Sequence, residues 1–537
     1  MKIIPVLLLF WIPLSVQAQS GYELQWSTPI DGPSVPLYGN GCSVVSPAEC
    51  QQIRLLEDSI LLVGGSTAQT LQFARLNLEG DTLWHRPWDL LNDRDDYVID
   101  LQLNEQEEII LLANSEKMGF ETDTASIFLM AADLQGQMLW QSSFQLKPNT
   151  LAFSMAIDPN NGIYVAGITQ EGYDFRQTFI TKFDQTGEEL WTYLYEPSLD
   201  GYVRGLDLEF IDGELVFLGS LNVSSEYKRM VLIRLDPEGN LLQTTETPHD
   251  DIGSSGLIDR NGNLYLGVFG NFNLYKYAPN GDLLWQRGLA SNLPSNVNAD
   301  EVQAIQTDEE GNVFFTGRHY GLGYPGPENY TNGDLVVLKT DSEGELLYSY
   351  RYEHLGSNSF EGGNWLDVAD NGYLLVGGRS ALANLGDPYQ FLSIVLRADG
   401  TAIDTLRNGS GGDYVIRSVV FGEDYDFFQV GLGSGKTVVQ RYQFLGDPLL
   451  SISDLQHRPT QVRCFPNPSQ GIVHFEWDKN IGQGQVVITD MLGRVVSNTR
   501  LVNRTSFRWQ ATQPGWYLYQ IIDKTGKQSQ GKLLIKP

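Results

Sequence analysis

The sequence predicts an all-β chain: an eight-bladed β-propeller, with seven blades as the alternative, followed by a small Ig-like β-sandwich. Three observations carry the prediction. A strand-and-turn phrase recurs roughly every fifty residues, the chain is rich in Gly (55), Phe (24), Tyr (25) and Trp (11), and the repeat stops abruptly after Leu445.

Residues 1–18 read as a secretory signal peptide. Lys2 supplies the positive start, Ile3 to Leu14 is an apolar run broken only by Pro5 and Pro13, and Val16-Gln17-Ala18 precedes the cut. No Cys follows that cut before Gln19, so a lipid anchor there is not expected. No later apolar run approaches membrane length, so no transmembrane segment is expected. From Val462 onward ten Lys and Arg face four Asp and Glu, a net +6; the rest of this chain of net −30 therefore carries −36. So acidic a surface repels nucleic acid and anionic lipid and argues against both as partners. Cys42 and Cys50 share a Gly/Pro-rich loop of an exported chain and are expected to form a local disulfide; Cys464 is left over.

The predicted propeller, 19–446, rests on two alternating phrases. One is a turn glycine followed by Leu and an aromatic: Gly80 to Trp84, Gly136 to Trp140, Gly187 to Trp191, Gly281 to Trp285, and Gly344 with Leu347-Tyr348. The other is an Asx/Glu-Gly turn, a β-branched or aromatic run and a closing glycine, as in Asn161 to Gly167, Asp212 to Gly219 and Asn371 to Gly377. Asn-Gly and Asp-Gly adopt the positive φ of tight hairpins. Two further strands fit between the phrases, giving four short antiparallel strands per unit. Tyr22 to Trp26 is a solitary Leu-Trp strand, whereas the last unit (Tyr414 to Phe421, Tyr425 to Val430, Thr437 to Phe444) has only three. The N-terminal strand is therefore expected to complete that blade and close the ring.

The Leu-Trp phrase resembles the tryptophan-docking repeats of quinoprotein-like propellers, which implies a fold and, for the Trp residues, packing between blades. Residues 447–461, with Pro448 and Pro459, read as a linker. The tail, 462–537, resembles the type A C-terminal sorting domain of the Bacteroidetes type IX secretion system. Its motifs are Phe465-Pro466-Asn467-Pro468-Ser469-Gln470-Gly471, Asp490-Met491-Leu492-Gly493-Arg494, Pro514-Gly515-Trp516-Tyr517, and Gly531-Lys532-Leu533-Leu534-Ile535-Lys536. The resemblance implies passage through the periplasm, handling by the type IX machinery, and display on the outer-membrane surface after removal of the tail.

Chemistry is sparse. Gly431 to Thr437 imitates a phosphate loop, but Thr437 opens a strand, so the glycines read as a hairpin. Asp158 to Gly162 and Asp259 to Asn263 lack the calcium-loop ligand pattern and read as turns. The six His form no pair at metal spacing, and no hydrolase or zinc-protease motif occurs. Long aromatic connections (Trp84 to Asp96, Trp191 to Gly201, His319 to Gly333, Leu382 to Gln390) share one face and are the expected place for function. Asp96, Asp200, Asp251, Asp300, Glu361 and Asp413 stand where inner strands begin; the sharper reading makes them a calcium site at a channel mouth, the simpler one solvated turn residues. The functional expectation is a binding scaffold for glycan, peptide or surface protein. A polysaccharide-cleaving or quinone-dependent enzyme, and an architectural or adhesion subunit, are the alternatives.

Overall fold

The computed structural model describes residues 21–30, 51–446 and 462–536, apart from 57–58, 66–69, 92–93, 118–123, 172–174, 198–200, 224–227, 250–251, 270–271, 289–300, 320–332, 353–359, 382–388, 410–413, 434–435, 466–468, 470, 491–493, 512 and 524–525. The signal peptide, the linker and the Cys42–Cys50 pair lie outside the described residues. Tyr22–Phe444 is one compact unit; Leu445–Pro537 belongs to a second.

In the first unit, seven antiparallel meanders of four strands follow one another, over 51–88, 95–144, 149–195, 201–249, 253–288, 301–352 and 360–408. The second and third are joined by a single parallel bridge, Asn149 to Ala125. The eighth contains Tyr414–Phe421, Phe427–Gly433 and Lys436–Phe444, and its fourth strand is Tyr22–Ile30. Tyr22 lies opposite Phe444 and Ile30 opposite Thr437, as ring closure by the N-terminal strand requires. The first strand of each meander packs against the first strand of the next, and that of the eighth against Gln51–Leu55 of the first. These first strands therefore surround a central channel, and we number the meanders as blades 1 to 8.

The Leu-Trp phrase has a mechanical explanation. Trp84 of blade 1 donates its indole N–H to the Leu134 carbonyl of blade 2 at 3.0 Å, and Arg75 donates to the same oxygen at 2.9 Å. Trp191 and Lys182 share the Pro237 carbonyl, Trp285 and Lys276 that of Ser342, and Trp26 and Arg441 that of Leu78. Each indole lies flat against a glycine two residues beyond its acceptor. At Gly136 a Cβ would stand 2.9 Å from the Trp84 ring, and φ there is +74°. The glycine thus serves the turn of its own blade and the docking of its neighbour. The Trp residues are packing residues, as the repeat resemblance implies.

Part of the acidity of the propeller is turn chemistry. Asp133, Asp184, Asp236, Asp259, Asp308 and Asp341 each accept backbone N–H groups of their own turns. The Thr186 hydroxyl, then the backbone N–H groups of Glu188 and Thr186, hold Asp184 below the usual carboxylate range. Asp158 and Asp259 do the same work, each also accepting from a tyrosine hydroxyl (Tyr164, Tyr265).

The second unit has five strands: Val462–Phe465, Ile472–Asp490, Val495–Gln510, Gly515–Asp523 and Gly526–Ile535. They form one hydrogen-bonded sheet, but the register between its two longest strands breaks between Glu476 and Ile481. Phe475, before the break, and Val486 and Ile488, beyond it, share a core with Trp509, Tyr519 and Leu533. The sheet folds over at the break and makes two layers, as in sandwiches whose strands turn corners.

Candidate functional site

The predicted mouth carboxylates divide into two groups. Asp200, Asp251, Asp300 and Asp413 lie outside the described residues. Asp96 and Glu361 are fully buried: Asp96 accepts the Leu90 N–H at 2.9 Å, and Glu361 accepts the Ser380 hydroxyl at 3.2 Å. Among the described residues no group of three or more His, Cys, Asp or Glu is arranged to hold a metal.

A different set of carboxylates meets inside the channel. A cavity of about 290 Å³ is lined by Arg54, Asp100, Ser154, Asp207, Glu209, Gln303 and Trp365, among others, from the first strands of blades 1 to 7. Bulges between Val98 and Asp100 and between Gly205 and Asp207 reorient these strands next to the acids. Asp207 joins two blades, accepting Leu208 N–H at 2.9 Å and Ile258 N–H of blade 5 at 2.7 Å. Asp367 joins blades 7 and 8 likewise, through Val368 and Phe421. Asp100 accepts from Leu101 and Gln102, with Arg54 3.8 Å away.

Burial, then the charge of Asp100, pushes Asp207 up to about 7. Burial, then Asp207 and Asp100, pushes Glu209 up to about 8. Burial also raises Asp100 against the pull of Arg54. A carboxyl whose pKa is raised by folding keeps its proton in the native state where the unfolded chain has lost it. Its contribution therefore falls as pH rises from the unfolded value, near 4, through the folded one. We expect propeller stability to decline between about pH 5 and about pH 8. Asp207 contributes a few kcal/mol, and Glu209, open to channel water, less. Thermal melts of Glu209→Gln should show a flatter decline and a higher Tm at pH 8; a profile parallel to wild type would contradict this. Asp100, Asp207 and Asp367 were not singled out in the sequence, although each is a charge inside an apolar inner strand: Ile99-Asp100-Leu101, Leu206-Asp207-Leu208 and Leu366-Asp367-Val368.

A larger cleft, about 550 Å³, opens where blades 7 and 8 meet. Its walls come from the strand ends that face the blade-to-blade connections: Gln390, Arg407 and Asn408 of blade 7, and Tyr414, Gly433, Lys436 and Gln440 of blade 8, with Ser27 of the closing strand. The cleft thus lies on the long-loop face. Gly409 and Gly433 clamp the Tyr414 ring, since a Cβ on either would stand 2.7 or 2.5 Å from it, and Phe391 meets it edge-on at 5.0 Å. The Gln390 amide fixes the Gly409 carbonyl at 2.9 Å. A relay of donors runs outward: Ser393 hydroxyl to Gln429, Gln429 amide to Gln440 at 2.6 Å, Gln440 amide to the Ser27 oxygen at 3.1 Å. Ser27 accepts in this relay, so its own proton is free to donate into the cleft.

In the second unit Ser469 joins the first and last sorting motifs. Its N–H donates to Leu534 O and its carbonyl accepts Lys536 N–H, both at 2.8 Å. Gly471 and Gly515 have φ of +125° and +150°. Tyr517, beside Asp490 across the ladder, donates its hydroxyl to Gln513 O at 2.8 Å, and Lys532 lies opposite Leu518. Arg494 precedes Val495–Gln510; Pro466, Asn467, Pro468 and Gly493 lie outside the described residues.

Among solved structures the chain is similar to a protein of unknown function from Bacteroides caccae (15% identity, 55% of this chain and 94% of that one, TM-score 0.33). It is also similar to a virginiamycin B lyase from Staphylococcus aureus (12%, 66% and 95%, TM-score 0.39). A third is YCF48 bound to D1 peptide (10%, 66% and 97%, TM-score 0.36). No curated protein matches the chain. No described helix is long and apolar enough to cross a membrane. Residues 463–536 match the secretion system C-terminal sorting domain, so behind its β-propeller the chain carries a type IX sorting signal, which implies export and association with the cell surface.

Proposed function

We propose that the chain is a binding module displayed on the outer-membrane surface, with the propeller engaging a polar ligand through its long-loop face. The observation that supports this is the blade 7–8 cleft: an open concavity on that face, with a clamped aromatic wall and several hydrogen-bond donors. The enzyme alternative draws on the channel carboxylates, whose raised pKa values suit a general acid. Asp207, however, has both oxygens engaged by backbone N–H groups of adjacent blades, which is structural work. Display is tested by deleting Val462–Pro537. The truncated propeller should accumulate in the periplasm with its melting temperature unchanged, because Tyr22–Phe444 is compact by itself. Truncated protein labelled on intact cells would overturn this reading.

A further inference from the structure

The wall of the channel cavity is built by one device repeated from blade to blade. In each of blades 2 to 7 a bulge interrupts the ladder between the first and second strands. The residues that resume the ladder are Asp100, Ser154, Asp207, Ser255, Ala304 and Trp365, and all of them line the cavity of about 290 Å³. Blades 2 to 5 thus present acid, hydroxyl, acid and hydroxyl in turn, and blades 6 and 7 a methyl and an indole. The indole is held in place by its N–H, which donates to Val419 O at 3.1 Å.

Charge in this cavity is unbalanced. Its charged lining groups are Arg54, Asp100, Asp207 and Glu209. Arg54 lies 3.8 Å from Asp100, which leaves the other two acids without a basic partner among the described residues. Two backbone N–H groups fix Asp207, whereas Glu209 is exposed to the channel. The Ser154 hydroxyl oxygen is buried against the cavity and has no hydrogen-bond partner, although buried hydroxyls are ordinarily paired. Wall charge and an unpaired hydroxyl are independent observations, and they point to the same ligand.

Going beyond the cleft on the long-loop face, we infer that this level of the channel binds a small organic cation, an ammonium on a short aromatic or apolar body. The ammonium donates to Glu209 and Ser154 within the field of Asp100 and Asp207. The body packs on Ala304 and on the Trp365 ring, whose face attracts cations. At about 30 Å³ for each water-sized unit, the cavity accommodates on the order of ten non-hydrogen atoms. An anion is repelled by the acids, and a neutral ligand leaves their charge uncompensated. Among the described residues no three acidic, His or Cys side chains converge as metal ligands do, and an ammonium requires only hydrogen bonds.

The test is isothermal titration of the mature chain with tyramine, phenethylamine and the uncharged 4-ethylphenol. At least one amine is expected to bind, and 4-ethylphenol to bind at least tenfold more weakly. Glu209→Gln should lower amine affinity about tenfold or more, and Ser154→Ala about threefold or more. Neither substitution should lower the melting temperature, because one removes like-charge repulsion and the other an unpaired hydroxyl. Repeating the titration at pH 7 in buffers of different ionisation enthalpy should show net proton release. Asp207 and Glu209, raised to about 7 and about 8, ionise when a cation arrives. Binding of neither amine would overturn the inference and leave the Ser154 hydroxyl to channel water, without touching the cleft reading. Equal binding of 4-ethylphenol, or amine binding indifferent to both substitutions, would overturn it as well.

Discussion

A chain lacking residues 19–30 is expected to lose more than ~5 kcal/mol of propeller stability, a large part of what holds a typical domain folded. The closing strand works at two seams. Tyr22, 1% exposed, wedges between Phe427 and Phe444 at 5.2 and 5.1 Å, and its N–H reaches Asp404 of blade 7 at 3.0 Å. Trp26 reaches in the other direction, to Leu78 and Gly80 of blade 1. Removing the strand thus unpins blade 8 on both sides and leaves Lys436–Phe444 as an uncovered edge, a template for self-association. Urea denaturation followed by size-exclusion chromatography should show a lower midpoint and soluble oligomers. A midpoint equal to that of the full propeller would show that the ring closes by other contacts.

Trp285→Ala should have the largest effect of any single substitution at the blade seams, about 3–5 kcal/mol. Trp285 is 9% exposed, donates to Ser342 O at 3.0 Å, and covers Gly344, where φ is +82° and a Cβ would stand 2.8 Å from the indole. Its loss leaves a cavity between blades 5 and 6 and removes one of two donors from the Ser342 carbonyl, with Lys276 the other. Trp285→Phe keeps ring surface but not the N–H and should cost about 1 kcal/mol for that bond, plus the smaller volume. Gly344→Ala should also destabilise, and the Trp285→Ala/Gly344→Ala pair should be less than additive, because the clash vanishes with the ring. Additive losses in denaturant titrations would mean that glycine and indole act independently. Blade 4 is a natural contrast: Thr245 stands against Gly281, and Arg234 reaches Pro279 O alone, at 3.5 Å.

Legibility in the sequence depends on what each feature needs. The blade phrases were legible because a hairpin turn and an indole dock both require glycine at one position, so the requirement recurs with the repeat. The solitary Tyr22 to Trp26 strand was legible as the missing partner of a three-stranded unit for the same reason. The sorting motifs were legible because Gly471, Gly515 and Tyr517 carry local geometry. Ser469, which joins the two ends of that domain, looked ordinary because its bonds to the last strand are made by backbone atoms, while its hydroxyl serves only the local turn to Gly471 and Ile472. The blade 7–8 cleft was not legible. Ser27, Gln390, Arg407 and Lys436 are far apart in the chain, and none differs from a surface residue until the ring closes. Lys436 in particular read only as part of a hairpin. Asp96 and Glu361 matched a pattern at strand starts, but pattern does not reveal facing, and both side chains are buried. The channel acids Asp100, Asp207 and Asp367 gave a signal that was missed: a carboxylate where an inner strand should be apolar.

Whether the blade 7–8 cleft binds at all can be decided by saturation-transfer NMR on the mature chain, with a mixed panel of charged and neutral oligosaccharides, paired with Ser27→Trp. Ser27 is exposed on the cleft wall, so an indole there fills the space, while the buried Gln440 amide loses its Ser27 acceptor, which should lower the melting temperature modestly. Transfer to at least one sugar is expected from the wild-type chain, with its loss in a Ser27→Trp chain that is still folded at the temperature of the measurement. No transfer to any member of the panel, or transfer that survives the blocked cleft, would contradict a binding role for this face.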